Sequence, residues 1–342
     1  MPKVSIIIPS YNHANYIEAA IQSVLTQTYG DLQVIVVDDG STDESSSILQ
    51  RLTNEKVQVV FQQNRGAHAA INRGLSMAEG KYLAILNSDD VYVPQRLEKA
   101  ISILDANPEV GLVSSYIEII DSKGKSLGIK QGYKNCHPWS LERPDKSFRA
   151  LDSLKLALVT ENYLATTSNY IFPRATYEKV GEFRPLRYTH DWDFALRLAR
   201  IAEIYMIEEP LLKYRVHPKN TIKEDKATMI FEICWTIAVN VPILLKERPF
   251  QDNNLERNLV DLLLNSLFTY HCENVLSVML LHSLHTDEIL ALSLLQPENP
   301  DRLFYLEAIH RTLEMQEGQH VKLRNVNPLY SLGSFFRSIL EK

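Results

Sequence analysis

The stretch Ala84-Ile85-Leu86-Asn87-Ser88-Asp89-Asp90 predicts a buried strand that ends in two adjacent carboxylates. The apolar run before Asn87 has the composition of a strand that is covered on both faces. Two neighbouring carboxylates repel each other, and a folded chain accommodates them well when a divalent cation lies between them. An isolated Asp-Asp pair is more often a solvated turn or a helix cap. Evidence from the rest of the sequence is therefore needed to choose between a metal-binding pair and a turn.

Strand-like and helix-like segments alternate with short loops over the first 115 residues. The predicted strands are Val4 to Ile8, Leu32 to Val37, Val57 to Phe61, Tyr82 to Leu86 and Val110 to Ser115, and the predicted helices follow Asn15, Thr42, Ala67 and Pro94. Alternation of this kind predicts an α/β fold, with a mainly parallel, doubly wound, Rossmann-like sheet and right-handed crossovers. Asn15 and Glu18 also have the spacing of a capping box at the first helix.

Each of the first four strands ends in a polar loop. These loops contain Pro9 to Asn12, Asp38 with Asp39, Asn64 with Arg65, and Asn87 to Asp90. The carboxyl ends of parallel strands meet at one edge of the sheet, which is where ligands bind in such folds. We therefore expect the four loops to form one site, and this convergence favours a functional Asp89-Asp90 pair over a simple turn.

The pattern changes after residue 115. A hairpin is predicted around 121–124, strands at 170–172 and 204–207, and helices at 151–158, 174–180 and from His190. Beyond about residue 223 the pattern is helical, with candidates at 227–245, 255–284, 287–295, 302–317 and 329–340. We therefore expect a catalytic domain over 1–220 and a C-terminal helical region over 221–342. Three alternatives stay open for the surface against which its apolar faces pack: the first domain, a second subunit in a homodimer, or a membrane surface.

Composition excludes several classes of protein. The 342 residues are 45% hydrophobic and 23% charged, as in a soluble globular chain, and the net charge of −6 argues against a nucleic-acid partner. Three cysteines that lie far apart indicate a reducing compartment without a disulfide framework. The apolar run from Met229 to Leu245 is interrupted by polar residues and by Pro242, and no signal peptide is expected. The expected location is the cytoplasm, with peripheral contact at the inner membrane face left open.

The strand-end residues suit a nucleoside diphosphate. Tyr11 can stack on a base, Asp39 can accept a hydrogen bond from a base N–H, and Asp89 can hold ribose hydroxyls. Asp90 can hold Mg²⁺ or Mn²⁺ across a diphosphate. Neither a Gly-x-Gly-x-x-Gly nor a Walker motif is present, which argues against a dinucleotide cofactor and a kinase. Asp191, in the segment 190–193, is the candidate general base, although alone it would be interpreted as a helix cap.

The motifs resemble those of a known family when they are taken in order. Pro9-Ser10-Tyr11-Asn12, the segment 36–43, Asn64-Arg65-Gly66 and Asn87-Ser88-Asp89-Asp90 are similar to successive motifs of family-two glycosyltransferases with the GT-A fold, over about residues 3–217. The chain resembles in particular the spore-coat polysaccharide type. The resemblance implies inverting transfer of a sugar from a UDP- or dTDP-sugar to a hydroxyl of a glycan or lipid-linked glycan. Polysaccharide, capsule, lipopolysaccharide or glycoconjugate synthesis is the expected context.

The resemblance also implies roles for individual residues. Nucleotide binding falls on Pro9, Tyr11, Asn12, Asp39, Asn64, Arg65 and Asp89, catalysis on Asp191, and Mn²⁺ or Mg²⁺ on Asp90 with His217. Asn87 departs from the pattern, since many members carry an acidic residue there, and weaker metal binding is the implied consequence. Residues 162, 167, 168 and 187 are expected on the acceptor side.

Two other functions stay open at this point. A nucleotidyltransferase also places carboxylates and a metal at strand ends, but it would carry a Gly-rich basic loop after the first strand. The loop Pro9 to His13 does not have that composition. A non-catalytic nucleotide-sugar-binding or scaffold subunit is the other alternative, and an intact Asp191 and Asp89-Asp90 pair argue against it.

Overall fold

The structure, a computed structural model, describes residues 3–131, 134–135, 154–160, 162–218, 220, 225–247, 275–276, 278–280 and 288–317. The chain divides into two compact units. The first contains Met1–Lys155 and Tyr163–Asn220, and the second contains Leu156–Asn162 and Thr221–Lys342.

In its described residues, the first unit contains ten strands and most of the helices. The strands are β1 Val4–Ser10, β2 Leu32–Asp38, β3 Val57–Phe61, β4 Tyr82–Ile85, β5 Val91–Tyr92, β6 Val110–Ile120, β7 Ser126–Gln131, β8 Lys134–Asn135, β9 Ile171–Pro173 and β10 Glu203–Arg215. The helices are α1 Ile17–Leu25, α2 Ser45–Leu52, α3 Ala67–Met77, α4 Arg96–Ala106, α5 Leu154–Thr160 (which crosses into the second unit), α6 Arg174–Val180 and α7 His190–Ala199. A 3₁₀ turn covers Thr167–Asn169.

All ten strands form one sheet with the order β3-β2-β1-β4-β9-β6-β10-β5, and β7 and β8 extend from β6. The pairs β1–β2, β2–β3, β1–β4 and β6–β10 are parallel. The short β9 is antiparallel to both β4 and β6, and β5 is antiparallel to β10. The predicted α/β class with a mainly parallel sheet is confirmed, and the antiparallel insertions are additional.

Two strands are longer than the sequence predicted. β6 runs without a break from Val110 to Ile120, so the predicted strand Val110 to Ser115 continues through Tyr116 to the predicted hairpin turn. β10 likewise continues through Pro210, where its register against β6 shifts on both sides of the proline. A bulge of this kind tolerates a residue that lacks a backbone N–H, and the strand resumes beyond it.

The core of the first unit lies between the parallel strands and the helices. Every residue of β1 is buried, including Ser5 and Ser10, as in a strand that is covered on both faces. Helix α3 packs closely on β1, because a Cβ added at Gly74 would lie 2.4 Å from Cγ2 of Ile7. The predicted capping box at α1 is wrong: the N-cap is Tyr16, and no side chain caps that helix end.

The second unit is helical in its described part. Its longer helices are α8 Lys226–Glu247, α9 Glu288–Ser293 and α10 Pro300–Glu317. The indole N–H of Trp235 on α8 donates to the carbonyl oxygen of Ala291 on α9 at 2.9 Å. The helix predicted at 329–340 and most of the one predicted at 255–284 lie outside the described residues. Among the described helices, α8 from Lys226 to Leu244 meets the length and hydropathy of a membrane span, although 72% of it is buried, as in a soluble core helix.

Candidate active site

The carboxylate of Asp39 fixes the loop that follows β3. Asp39 lies just beyond β2 and is buried, with 3% of its surface exposed. Its Oδ1 accepts hydrogen bonds from Nε2 of Gln62 at 2.7 Å and from the backbone N–H of Arg65 at 2.9 Å. Its Oδ2 accepts from the N–H of Gly66 at 2.8 Å. The loops after β2 and β3 are therefore held together at the predicted nucleotide end of the site.

Asn12 ties the loop after β1 to the loop after β2. Its backbone adopts the left-handed region, with φ of 55°, which Asn tolerates better than most residues. Its Oδ1 accepts from the N–H of Thr42 at 2.8 Å, and its own N–H donates to Oγ of Ser41 at 2.9 Å. Asn12 therefore fixes the loop after β1 relative to the loop after β2.

The other residues predicted to bind the nucleotide differ in exposure. Tyr11, at the end of β1, is 44% exposed, so its ring is accessible for stacking on a base. Asn64 and Arg65 are also exposed, whereas Pro9 is buried in β1 opposite Val37. Direct contact of any of these residues with a nucleotide stays a prediction.

Beyond β4, Asp89 lies in a cluster with two histidines. Its Oδ2 is 3.1 Å from Nε2 of His217, and one ligand atom from each of His13, Asp89 and His217 lies within 4.8 Å of the others. Burial alone would raise the pKa of Asp89, but the hydrogen bond to His217 and the nearby His13 outweigh it and lower that pKa. A carboxylate that stays charged beside two imidazoles is a suitable set of ligands for a divalent cation.

Asp90 lies behind this cluster. It is 1% exposed, its Oδ2 accepts from Oγ of Ser168 at 2.6 Å, and its Oδ1 accepts from the N–H of Arg215 at 2.9 Å. Burial and the charge of Asp89 raise the pKa of Asp90 well above its usual value. Both oxygens are used inside the fold, so the structure places Asp89, rather than the expected Asp90, beside His217.

Arg215 connects the end of β10 to the Asp89 loop. Its Nε donates to the carbonyl oxygen of Asp89 at 2.8 Å, and its guanidinium lies 4.8 Å from the ring centre of Tyr16. The Tyr16 ring in turn packs beside His217, with ring centres 5.2 Å apart. This stack fixes the position of His217, which follows the strand by two residues.

Both ends of the Asn87 side-chain amide are hydrogen-bonded to neighbouring hydroxyls. Its Nδ2 donates to Oγ1 of Thr166 at 3.0 Å, and its Oδ1 accepts from Oγ1 of Thr167 at 3.0 Å. Thr167 and Ser168 are buried and donate to Asn87 and Asp90, and their expected position on the acceptor side stays a prediction.

Asp191 opens helix α7 and is 7% exposed. Its Oδ1 accepts from the N–H of Trp192 at 2.7 Å, and its carbonyl oxygen accepts from the hydroxyl of Tyr170 at 3.0 Å. The first turn of a helix favours a negative charge, because the unpaired N–H groups there carry partial positive charge. Its role as the general base stays a prediction.

Tyr214 is a site residue to which sequence reasoning assigned no role of its own. Burial raises its pKa well above the usual value, and the charges of Asp90, Asp89 and Asp191 raise it further. The tyrosine therefore lies within electrostatic reach of both the Asp89-Asp90 pair and Asp191. It lies on β10 beside Arg215.

A cavity of about 680 Å³ lies beside the loop after β3. Its walls are the exposed side of α3 and the segment before α7, and they include Arg65, His68, Arg73, Glu182 and Phe183. The amide of Asn72 clamps the second wall, since it donates to the carbonyl oxygen of Phe183 at 2.8 Å and accepts from its N–H at 2.9 Å.

Comparison with known proteins gives the family that part of this sequence matches. Residues 5–156 match the family described as Glycosyl transferase family 2. The chain carries a family 2 glycosyltransferase domain. The predicted family resemblance is thereby confirmed.

Relatives of this family 2 domain share its sequence over about two thirds of the chain. An uncharacterised glycosyltransferase of Rickettsia prowazekii is 38% identical over 224 residues, which are 64% of this chain and 66% of that protein. An uncharacterised glycosyltransferase of Nostoc sp. is 33% identical over 225 residues, with coverage of 64% and 66%. The chain thus spans slightly less than two thirds of the length of these relatives.

Solved structures show the fold of the family 2 domain at lower identity. Residues 1–349 of S. aureus TarS, in complex with UDP-GlcNAc, give a TM-score of 0.59 at 20% identity, with 95% of each chain covered. The mannosyltransferase PcManGT from Pyrobaculum calidifontis, in complex with GDP-Man and Mn²⁺, gives 0.50 at 17% identity, with coverage of 99% and 85%. These likenesses confirm the GT-A type of fold.

Proposed function

We propose that the protein is an inverting glycosyltransferase that moves a sugar from a nucleotide-diphospho-sugar to a hydroxyl acceptor. The observation that carries the proposal is the gathering of Asp39, the Asp89–His217 pair and Asp191 along one edge of the sheet. The family 2 domain supports it, and so do the UDP-GlcNAc and GDP-Man complexes of proteins with the same fold.

The donor nucleotide would lie over the ends of β1, β2 and β3. The exposed ring of Tyr11 offers a stacking surface for the base. The loop around Asn64 and Arg65, held by Asp39, would border the base and ribose. We infer a UDP- or dTDP-sugar as the donor class and a glycan or lipid-linked glycan as the acceptor.

A divalent cation, Mn²⁺ or Mg²⁺, fits the other end of this edge. Asp89 and His217 would hold it, because their ligand atoms already lie 3.1 Å apart in a buried position. Bound there, the cation would neutralise the charge of the departing diphosphate. Asp90 would position the end of β10 through its bond to the N–H of Arg215.

Asp191 would act as the general base. Its carboxylate would accept the proton of the acceptor hydroxyl as the oxygen attacks the anomeric carbon from the side opposite the diphosphate. The new C–O bond forms as the bond to the leaving phosphate oxygen breaks, so the anomeric configuration inverts.

A donor screen tests the binding half of the proposal. UDP-, dTDP- and GDP-sugars are added to the protein with Mn²⁺, and the melting temperature is followed. Donor binding stabilises the native state by mass action, about 2.7 kcal/mol at a hundred times the Kd. No shift with any donor would contradict the proposal. A shift without turnover on any acceptor or water would favour a nucleotide-sugar-binding subunit instead.

The variant Asp191→Asn tests the catalytic half. Loss of a general base typically reduces the rate about 10²–10⁴-fold, while donor binding should be retained. Asp31→Asn is the matched control, since Asp31 is an exposed carboxylate that precedes β2. Transfer at a normal rate by Asp191→Asn would remove Asp191 from the mechanism.

A further inference from the structure

We propose that His13 is a third protein ligand of the cation and that it makes this site prefer first-row transition ions over Mg²⁺. The inference rests on the cation of the proposed function, and it assigns a role to a residue for which the sequence predicted none. Its basis is the three-residue cluster of His13, Asp89 and His217.

The backbone around His13 is fixed by the loop after β2. Three successive N–H groups donate to side chains there: Asn12 to Oγ of Ser41 at 2.9 Å, His13 to Oγ of Ser45 at 3.1 Å, and Ala14 to Oδ2 of Asp43 at 3.1 Å. Ser45 is fully buried. Ligands held by such outside hydrogen bonds keep their geometry before the metal arrives.

The imidazole ring of His13 is also oriented. Its Nδ1 lies 2.7 Å from Oγ of Ser88, which is buried and directly precedes Asp89. The ring meets that of His217 edge to face, with centres 5.5 Å apart and an angle of 89° between the planes. A hydrogen bond to one ring nitrogen is the usual device that aims the other nitrogen of a metal-binding histidine.

The donor atoms decide the preferred ion. Mg²⁺ prefers oxygen ligands and keeps several of its waters, whereas imidazole nitrogen suits Fe²⁺, Co²⁺, Ni²⁺ and Zn²⁺. Two imidazoles and one carboxylate, with the remaining positions open, form a set that proteins use for Fe²⁺. The affinity should therefore increase from Mg²⁺ to Mn²⁺ and again to Co²⁺, and the open positions suit the oxygens of a diphosphate.

The experiment measures metal binding alone. The protein is freed of metal with a chelator, and the affinities for Mg²⁺, Mn²⁺ and Co²⁺ are determined by titration calorimetry, with the visible spectrum of bound Co²⁺ as a signature of nitrogen ligands. We expect His13→Ala to lose at least 10-fold in Co²⁺ and Mn²⁺ affinity, about the loss that removal of even an outer-shell partner causes. Mg²⁺ affinity should change much less, so the preference for Co²⁺ over Mg²⁺ falls.

Two further variants make the result decisive. His310→Ala, an exposed histidine on α10, should leave all three affinities unchanged. His13→Gln keeps a polar group beside Ser88 but lacks the imidazole, so it should show the same loss as His13→Ala. An unchanged ratio of Co²⁺ to Mg²⁺ affinity in both His13 variants would overturn the proposal. Failure of sugar transfer with metal selectivity intact would contradict the proposed function only.

Discussion

Two aspartates of helix α7, two residues apart, should differ in how strongly their substitution lowers the melting temperature. Asp193 is fully buried, and its two oxygens pair with Nη1 of Arg184 at 2.8 Å and Nε of Arg197 at 3.0 Å. The Arg197 guanidinium also donates to the carbonyl oxygens of Val180 and Glu182. This ion network holds the segment before α7, and with it the wall of the cavity.

The substitution Asp193→Asn removes the charge and keeps the shape. Removal of one partner from a buried ion pair costs about 3–5 kcal/mol, because the other charge is left uncompensated. The Asn oxygen can still accept one hydrogen bond, so the lower end, about 3 kcal/mol, applies here. For a unit of this size 1 kcal/mol corresponds to about 2–4 °C, which predicts a fall of about 6–12 °C in the melting temperature.

Differential scanning calorimetry is the assay, because it can separate the transitions of the two units. Asp191→Asn serves as the matched variant, since the Asn oxygen can still accept from the N–H of Trp192 as Oδ1 does. It should lower the melting temperature by less than half as much. Equal shifts in the two variants, or none in Asp193→Asn, would refute the assignment of Asp193 to stability.

Two further predictions concern single side chains of the first unit. Asn87→Asp should lower the free energy of unfolding by about 1–3 kcal/mol, because a carboxylate cannot donate to Thr166 and adds charge beside two aspartates; an unchanged urea midpoint would contradict this. Burial lowers the pKa of His68 to about 4, whereas the pKa of a histidine in the unfolded chain is near 6.5. Between these two pH values the unfolded chain binds a proton at His68 and the folded chain does not, which favours unfolding. Stability contributed there is present above pH 6.5 and is lost as the pH falls towards 4, and because His68 is only half-buried we expect a loss of about 1–2 kcal/mol. Urea midpoints at pH 7.5 and 4.5 should show that loss in the native protein but not in His68→Asn, and equal acid sensitivity would contradict the reasoning.

Much of the fold could be predicted because β1, β2 and β4 are mainly apolar and the loops between strands and helices are short. Strand length was harder to predict, since it depends on the neighbouring strand. Pro210 reads as the end of a strand, yet the pairing of β10 with β6 on both sides of the proline carries the strand through a bulge. The capping box of Asn15 and Glu18 failed for a similar reason, since tertiary contacts of Asn12 to Ala14 set the entry to α1.

The candidate site was predictable where strand order alone places residues together. Asp39 and the loop after β3 follow from adjacent parallel strands. A tight turn decides which of Asp89 and Asp90 faces the histidines. In this turn the N–H of Asp90 donates to the carbonyl oxygen of Asn87 at 3.1 Å. The periodicity of a sequence does not predict the direction of side chains in a turn. His13 is far from Asp89 and His217 in the sequence, and no metal-binding motif has this spacing. Only the folded chain therefore brings the three residues together.

The position of β9 has a consequence for synthesis of the chain. β9 lies between β4 and β6 in the sheet, yet it follows the end of β6 by about 50 residues. A ribosome that adds about 5–20 residues per second needs about 3–10 s to make that segment. During this interval the facing edges of β4 and β6 have no strand between them, and unpaired apolar edges are sites of aggregation. Chains stalled before residue 171 should accordingly be more sensitive to protease in β4 and β6 than chains stalled shortly after residue 220. The sheet is therefore completed late in synthesis, and the incomplete sheet is exposed to aggregation until then.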